Sequence, residues 1–378
     1  MENLVYFSIL AMPLYLLRFS LAGIHTNVFE ILALVCVAWF FIQRRSFKIA
    51  LRDYKTYFMP VGLIMIGLFV STLLNDEYRT GFGIIKGWFV IPLIFAWVVI
   101  ETLRPEKIFQ AIYQSVFLVA SASLVYFITG ELTFDGRLQA FYNSPNFLAM
   151  YLAPAVIIGS RLWENNKKYY TLSLTLILLV LYLTFSYAAW IAVFLAIVTR
   201  LVFEKREFFR NKKIAMILAL ILVVFLLQLG TSKMNGLLRM EERSSFSSRM
   251  MIWSAAGKII SDNPVWGIGP GNFQDKYLEY QKYFPPYLEW AVPQPHNIFL
   301  AFWLQAGLTG LIGFLTLLFF WFKNLWKENK KEIQITSGLI MIYIILHGLF
   351  DTTYFKNDLA VVFWLIIFLA TENPPRKA

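Results

Sequence analysis

Three histidines and one cysteine are the only residues of their kinds in this chain. His25 and His347 lie beside or inside apolar runs. His296 differs: it follows Pro295, precedes Asn297, and stands where a polar stretch gives way to a long apolar one. A neutral imidazole in water-accessible surroundings can take a proton from a hydroxyl. The plainer alternative is a helix-capping or interfacial residue. Upstream, Arg249 opens an expected helix and Trp253 follows one turn later. An arginine on a polar loop is usually just solvated. Here Arg239, Arg243, Arg249 and Lys258 gather on one segment, and a guanidinium fork suits phosphate oxygens particularly well. Anionic lipid head groups or a diphosphate-linked substrate would account for the cluster.

Further polar residues stand at the same level. Arg137 lies in Asp135-Gly136-Arg137, just ahead of Asn143-Ser144-Pro145-Asn146. Lys86 sits inside an apolar run between Gly83 and Gly87, and an ionisable group inside a span is a candidate site. Arg18 also falls in an apolar run, near its end, where reaching out to the interface explains it. The sequence has no Gly-x4-Gly-Lys-Ser/Thr loop, and the turn Gly267-Ile268-Gly269-Pro270-Gly271-Asn272 is weak as a phosphate cradle. There is no Asp-x-Asp, and the scattered histidines and lone Cys36 make no zinc site. An enzyme built from these residues needs no metal and no cofactor, and uses a lipid-borne activated donor.

The elements that hold these residues are apolar. Hydrophobic residues make up 58% of the chain and charged ones only 15%, against roughly 25% charged in an ordinary soluble domain. The apolar residues come in runs long enough to cross a bilayer core of roughly 30 Å. With no water in that core, backbone groups must pair internally, so the runs should be helices. The expected fold is all-α: a polytopic bundle of about twelve transmembrane helices, at 4–22, 27–43, 57–74, 83–100, 108–129, 140–161, 169–184, 187–203, 213–230, 298–322, 335–350 and 358–371. The stretch from Tyr169 to Phe203 needs a break, placed near Ser186. The chain divides into 1–230 with nine spans, a long loop at 231–297, and 298–378 with the last three spans and a short tail. Within the loop, serines at 244, 245 and 247 offer caps for a short helix over 248–260, and a second is expected over 272–282.

The net charge of +11 can signal nucleic acid, but most cations sit in short loops between apolar runs and read as topology signals instead. Five lie between Arg44 and Lys55, six between Arg200 and Lys213, and four between Lys323 and Lys331. Alternate short loops hold only Arg79, Arg137 and Lys356. The asymmetry puts both termini in the cytoplasm and the long loop outside.

The loop residues resemble a known family. Arg249-Met-Met-Ile-Trp253, Asn263-Pro264-Val-Trp-Gly267-Ile-Gly269-Pro-Gly271-Asn272-Phe273 and Pro295-His296-Asn297 are similar to the loop of the O-antigen ligase and polymerase family. His296-Asn297, nine residues, Gly307, two residues and Gly310 resembles the ligase pattern, and Gly136-Arg137-Leu138 with Ser144-Pro145-Asn146-Phe147 is similar to a second family segment. The resemblance implies transfer of a glycan from an undecaprenyl-diphosphate carrier to a hydroxyl of an acceptor glycan or lipid, at the outer face of a bacterial inner membrane, in surface polysaccharide or lipopolysaccharide assembly. It implies that Arg249 holds the diphosphate and His296 activates the acceptor, with Arg137, Lys86, Arg243, Asn146 and Asn297 as binding residues. The partners are then the lipid-linked glycan, its acceptor and membrane lipids, and not nucleic acid. Ligase and polymerase both remain open. One position departs: many members carry Ser-Arg between spans seven and eight, where this chain has Ser186-Tyr187. Lys86, Arg137 and Arg243 are the candidates to replace that arginine. A transporter of a small anion or glycan precursor is the rival class, though no inverted repeat is visible.

The orientation has a direct test. A reporter active only outside the cytoplasm should work when fused at Lys282 and be silent at Glu207; the reverse pattern overturns the assignment.

Overall fold

The computed structural model describes residues 1–21, 23–43, 54–75, 77–203, 219, 223, 226, 244–285, 292–325 and 331–370. Among the described residues the regular elements are helices but for one small hairpin. Helix α1 (Glu2–Leu10) gives way to a 3-10 turn at Met12–Leu16. Strands β1 (Arg18–Leu21) and β2 (Ile24–Asn27) then pair antiparallel, Arg18 opposite Asn27 and Leu21 opposite Ile24. The first expected span, 4–22, is therefore not one helix. Pro13 lacks the N–H that an inner helical turn requires, and Gly23 takes φ 80° in the hairpin turn. An apolar run alone does not distinguish helix from strand. Arg18 accordingly lies exposed on β1 instead of in a span.

The other helices follow the apolar runs: α2 (Val28–Gln43), α3 (Lys55–Leu73), α4 (Tyr78–Ile84), α5 (Ile91–Thr102), α6 (Pro105–Ile128), α7 (Pro145–Leu162), α8 (Lys167–Leu183) and α9 (Tyr187–Phe203). A π turn at Ile85–Val90 joins α4 to α5. The sixth run becomes helical only at Pro145, behind Ser144, whose hydroxyl accepts the Asn146 N–H at 3.2 Å. The break between α8 and α9 falls at Ser186. Beyond it come α10 (Ser245–Asp262), α11 (Phe273–Tyr280), α12 (Ile298–Leu325), α13 (Glu332–Gly348) and α14 (Asn357–Leu369).

Five helical stretches are long and apolar enough to cross a membrane: Lys55–Leu73, Tyr78–Thr102, Pro105–Ile128, Pro145–Asn165 and Ile298–Leu325. Val28–Gln43, Tyr187–Arg200, Glu332–Gly348 and Asn357–Leu369 are apolar but shorter. The chain is a multi-pass membrane protein, and among the described residues helix length supports fewer crossings than twelve. The expected span at 213–230 lies outside the described residues apart from 219, 223 and 226.

Small residues set the closest packing. A Cβ on Gly67 of α3 would fall on the Ala306 carbonyl and the Gly310 backbone of α12, and one on Gly313 would meet the backbone of Pro60 and Ile64. The two helices touch backbone to backbone, as small residues permit in membranes. Above that contact α12 is kinked at Gly307, which takes φ 65°. The kink frees backbone groups that the loop then satisfies. The Ile268 N–H donates to Leu304 O at 2.7 Å, and the Leu308 N–H donates to Val265 O at 2.9 Å. Gly267, at φ 67°, lets the loop backbone lie against the carbonyls of Trp303 and Leu304. Ile252, Ala256, Ile259, Phe273 and Tyr277 close a small core over the join, separate from that of the bundle. The glycine-rich turn is thus a docking surface, buried against α12.

Gly307→Ala would put a side chain on the backbone of Val265 and Trp266 and force a left-handed conformation on alanine. It should cost about 1–3 kcal/mol for the strained backbone alone, read as a lower melting temperature in detergent. Unchanged stability would mean the kink is not needed to seat the loop.

Candidate functional site

The site forms where α10, the start of α12 and the α13–α14 turn meet. Ser244 caps α10, its hydroxyl accepting the Ser247 N–H at 3.2 Å. That fixes the first turn and so the direction of Arg249. The arginine donates from Nε to Phe350 O at 2.7 Å and from Nη1 to Ser245 O at 3.0 Å, and its Nη2 lies 3.8 Å from Asp351 Oδ2. One turn on, Trp253 Nε1 donates to Pro295 O at 3.1 Å and His296 O at 3.3 Å. The Arg249-x3-Trp253 spacing therefore serves two ends: the arginine reaches the α13–α14 turn while the tryptophan holds the backbone beneath His296.

That backbone is held in an uncommon conformation. His296 has φ 48°, a left-handed geometry that a non-glycine residue keeps only when its surroundings enforce it. Asn297 contributes by capping α12: its Oδ1 accepts the N–H groups of Phe299 at 2.9 Å and Leu300 at 3.1 Å, and its Nδ2 donates to Leu349 O at 3.0 Å. The capping role weighed for this segment thus belongs to Asn297. The His296 ring is turned so that Nδ1 lies 3.2 Å from Asp351 Oδ1.

Asp351 joins the set. It is 1% exposed. One carboxylate oxygen faces His296 and accepts the Thr352 N–H at 2.9 Å. The other accepts Asn146 Nδ2 at 3.0 Å and faces Arg249. Asn146 in turn accepts Arg137 Nη2 at 2.7 Å, and Arg137 Nε donates to Thr184 O at 2.8 Å. A continuous chain thus runs Arg137–Asn146–Asp351–His296, with Arg249 as a branch. Burial by itself would raise the Asp351 carboxyl, but His296 and then Arg249 outweigh it and hold it well below the usual carboxylate range. Sequence reasoning missed Asp351, which ends an apolar run with nothing nearby in the chain to mark it.

Arg137 comes to the α8–α9 break from a loop, against Thr184, two residues before Ser186. Tyr187 and Ser186 line a mostly apolar cavity of about 320 Å³ together with Ile191, Leu195, Phe246 and Leu346, and Arg249 and Asn146 stand at its polar edge. His296 lies across Asp351 from that edge. Lys86 is not in the group: its ammonium pairs with Glu30 Oε2 at 2.7 Å and donates to His25 O at 2.6 Å, while Asn357 donates to the other Glu30 oxygen at 3.2 Å. Arg243 lies outside the described residues. Among the described residues no group of three or more His, Cys, Asp and Glu side chains is arranged to hold a metal ion.

The carboxylate can be tested as the hub. Asp351→Ala leaves Arg249 partly buried without its counter-charge and should cost about 3–5 kcal/mol, the usual penalty for breaking a buried pair. Because the folded-state pKa is depressed, the stabilisation is complete above roughly pH 3.9 and is lost as pH falls toward the lower folded value. The neutral Asp351→Asn should therefore lose less stability than wild type on acidification. Equal acid sensitivity of the two proteins would remove Asp351 from the centre of the network.

Residues 172–315 match the O-antigen ligase family. No curated protein matches the chain. The matched segment includes Arg249, Trp253, His296 and Gly307, whereas Arg137, Asn146 and Asp351 lie outside it. The stretch that seats the arginine and the histidine thus lies inside a segment, less than half of the chain, that is similar to the O-antigen ligase family.

Proposed function

We propose that this protein is a metal-independent, inverting glycosyltransferase. It takes a glycan from an undecaprenyl-diphosphate carrier and joins it to an acceptor hydroxyl in surface polysaccharide assembly. The observation that supports this reading is the shared carboxylate: Asp351 meets His296 on one oxygen and Arg249 on the other. With Nδ1 directed at the carboxylate, the imidazole carries its proton there and leaves the Nε2 lone pair for the acceptor hydroxyl. The acceptor O–H gives its proton to Nε2 as its oxygen attacks the anomeric carbon from the face opposite the phosphate. The glycosyl–phosphate bond breaks, and the carrier leaves as the diphosphate. Charge then builds on the leaving oxygens, where fixed guanidinium groups stabilise it most effectively.

Arg249 is one such group. Arg137, brought to the α8–α9 break beside Tyr187, is the other, and stands in for the arginine that many members carry at that break. Asn146 bridges Arg137 and Asp351, accepting from the one and donating to the other, and Asn297 fixes the helix start that carries His296. The apolar cavity beside Arg249 suits the first isoprenoid units of the carrier. Lys86, engaged by Glu30, is left out of this assignment. The site then faces the outer leaflet of the inner membrane, with both termini in the cytoplasm. Ligase and polymerase differ in the acceptor, and nothing in the network selects one.

His296→Ala should leave donor binding intact and cut turnover by roughly 10²- to 10⁴-fold, the range for a lost general base. Arg249→Lys keeps the charge but loses the planar fork, so donor affinity and turnover should both fall. The measurement is donor binding and product formation by purified protein. Near-wild-type turnover in His296→Ala would reduce the histidine to a helix-end residue. Flux without any new glycosidic bond would favour the transporter.

A further inference from the structure

Lys86 is drawn away from Asp351, yet the group it holds bears on that carboxylate. It sits in the π turn at Ile85–Val90. A π turn is uncommon inside a helix and often accompanies a functional site. Here its carbonyls receive the turn that carries Asp351. Gly87 O accepts Asn357 Nδ2 at 3.0 Å, and Trp88 O accepts the Tyr354 hydroxyl at 2.8 Å. The Asn357 amide also donates to Glu30 Oε1 at 3.2 Å. The other Glu30 oxygen takes Lys86 Nζ at 2.7 Å and the Thr26 hydroxyl at 3.0 Å. Glu30, Tyr354 and Asn357 are all buried. Gly87 makes room for this convergence: a Cβ there would lie 2.8 Å from Glu30 Oε1 and 3.4 Å from Asn357 Nδ2. At the other side of the turn, the Thr353 hydroxyl donates to Ile344 O of α13 at 2.8 Å. The chain between Asp351 and α14 is therefore tied to α13 and to the π turn.

We propose that Lys86 and Glu30 are positioning residues for the Asp351–His296 pair, acting through Asn357 and the π turn. The proposal rests on the glycosyltransferase reading and adds to it a buried ion pair remote from the reacting atoms. Glu30, taken out of water, needs the Lys86 charge beside it. Its second oxygen then holds Asn357 down on Gly87 O, and Tyr354 fastens the same turn to Trp88 O. Together they fix the height at which Asp351 meets His296. The margin is small: Nδ1 to Oδ1 is 3.2 Å, already the long end of a hydrogen bond. A turn released by about 1 Å would part them, and a misplacement of that size can cost roughly 10²-fold in rate.

The test reads the His296 ring directly, so it can fail independently of the catalytic assignment. Full-length protein carrying isotope-labelled histidine is studied by NMR in phosphatidylcholine nanodiscs, at a pH where the ring is neutral. With three histidines in the chain, each signal can be assigned by substitution, and ring-nitrogen shifts separate the two tautomers. Wild type should show His296 protonated on Nδ1, the nitrogen that faces Asp351. Lys86→Met and Tyr354→Phe should each bring in the form protonated on Nε2 and lower turnover. Lys86→Arg keeps the charge and should keep the wild-type tautomer. Tyr113→Phe is the control for general loosening: it loses a buried hydroxyl contact to Ser173 at 2.7 Å, between α6 and α8, and should leave His296 unchanged. Where Lys86→Met fails to fold, Tyr354→Phe decides, since it removes a single hydroxyl. A tautomer that stays unmoved in either folded variant overturns the proposal, even if turnover falls. An equal shift in Tyr113→Phe, or Nε2 protonation already in wild type, also overturns it. If the tautomer shifts as expected while turnover stays at the wild-type level, the positioning role stands and the catalytic reading of His296 falls.

Discussion

A carboxylate removed from water must find positive charge and hydrogen-bond donors or take up a proton, because a lone buried charge is far too costly to maintain. Asp351 is in that position, and the local architecture answers its needs. The turn between α13 and α14 carries it, the loop helix supplies Arg249, the start of α12 supplies His296, and the start of α7 supplies Asn146. Four elements far apart in the chain are thereby tied to one group. With the carboxylate ionised, His296 and Arg249 have an electrostatic reason to share a site despite the cost of bringing two basic groups together.

Arg249 can reach Asp351 only if the loop is seated firmly on the membrane helices. Its seat comes from a broken helix. Gly307 interrupts the hydrogen-bond ladder of α12, and the loop completes the open positions with its own backbone at Ile268 and Val265. Irregular backbone near membrane depth is tolerated where protein covers it and pairs its polar groups. Here the irregularity on one side is matched to irregularity on the other, glycine against glycine. The remaining glycines of α12 draw α3 into close contact beneath, giving the kink a rigid base.

The same economy explains the left-handed backbone at His296. Trp253 donates to the carbonyls on either side of the Pro295–His296 link, and Asn297 starts the helix immediately afterwards. A histidine on an ordinary helical turn would swing with its rotamers. Pinned in this way, it presents one ring nitrogen to Asp351 and, among the described residues, leaves the other without a hydrogen-bond partner.

Much of this was legible in the residues. The apolar runs marked most of the helices because hydrophobic length is a one-dimensional property. The helix at 245–262 was visible in its serine cap, the break near Ser186 in the length of the run around it. Arg249 and His296 stood out by type and spacing, since each is a polar residue set against an apolar background. Other features could not be read in this way. The hairpin at 18–27 looked like helix because apolar residues suit both forms. Asp351 drew no attention because a single acid at the end of an apolar run resembles any loop residue. The glycine-rich turn gave no hint that its partner was the carbonyl of Leu304. The sequence by itself determined that this is a multi-pass helical membrane protein and which residues carry chemical potential. Only the tertiary structure decided that Arg137, Asn146, Arg249 and His296 converge on Asp351 while Lys86 goes to Glu30. The physical reason is that pairing a buried charge is a contest among all groups that can reach it, and reach is settled in three dimensions, not along the chain.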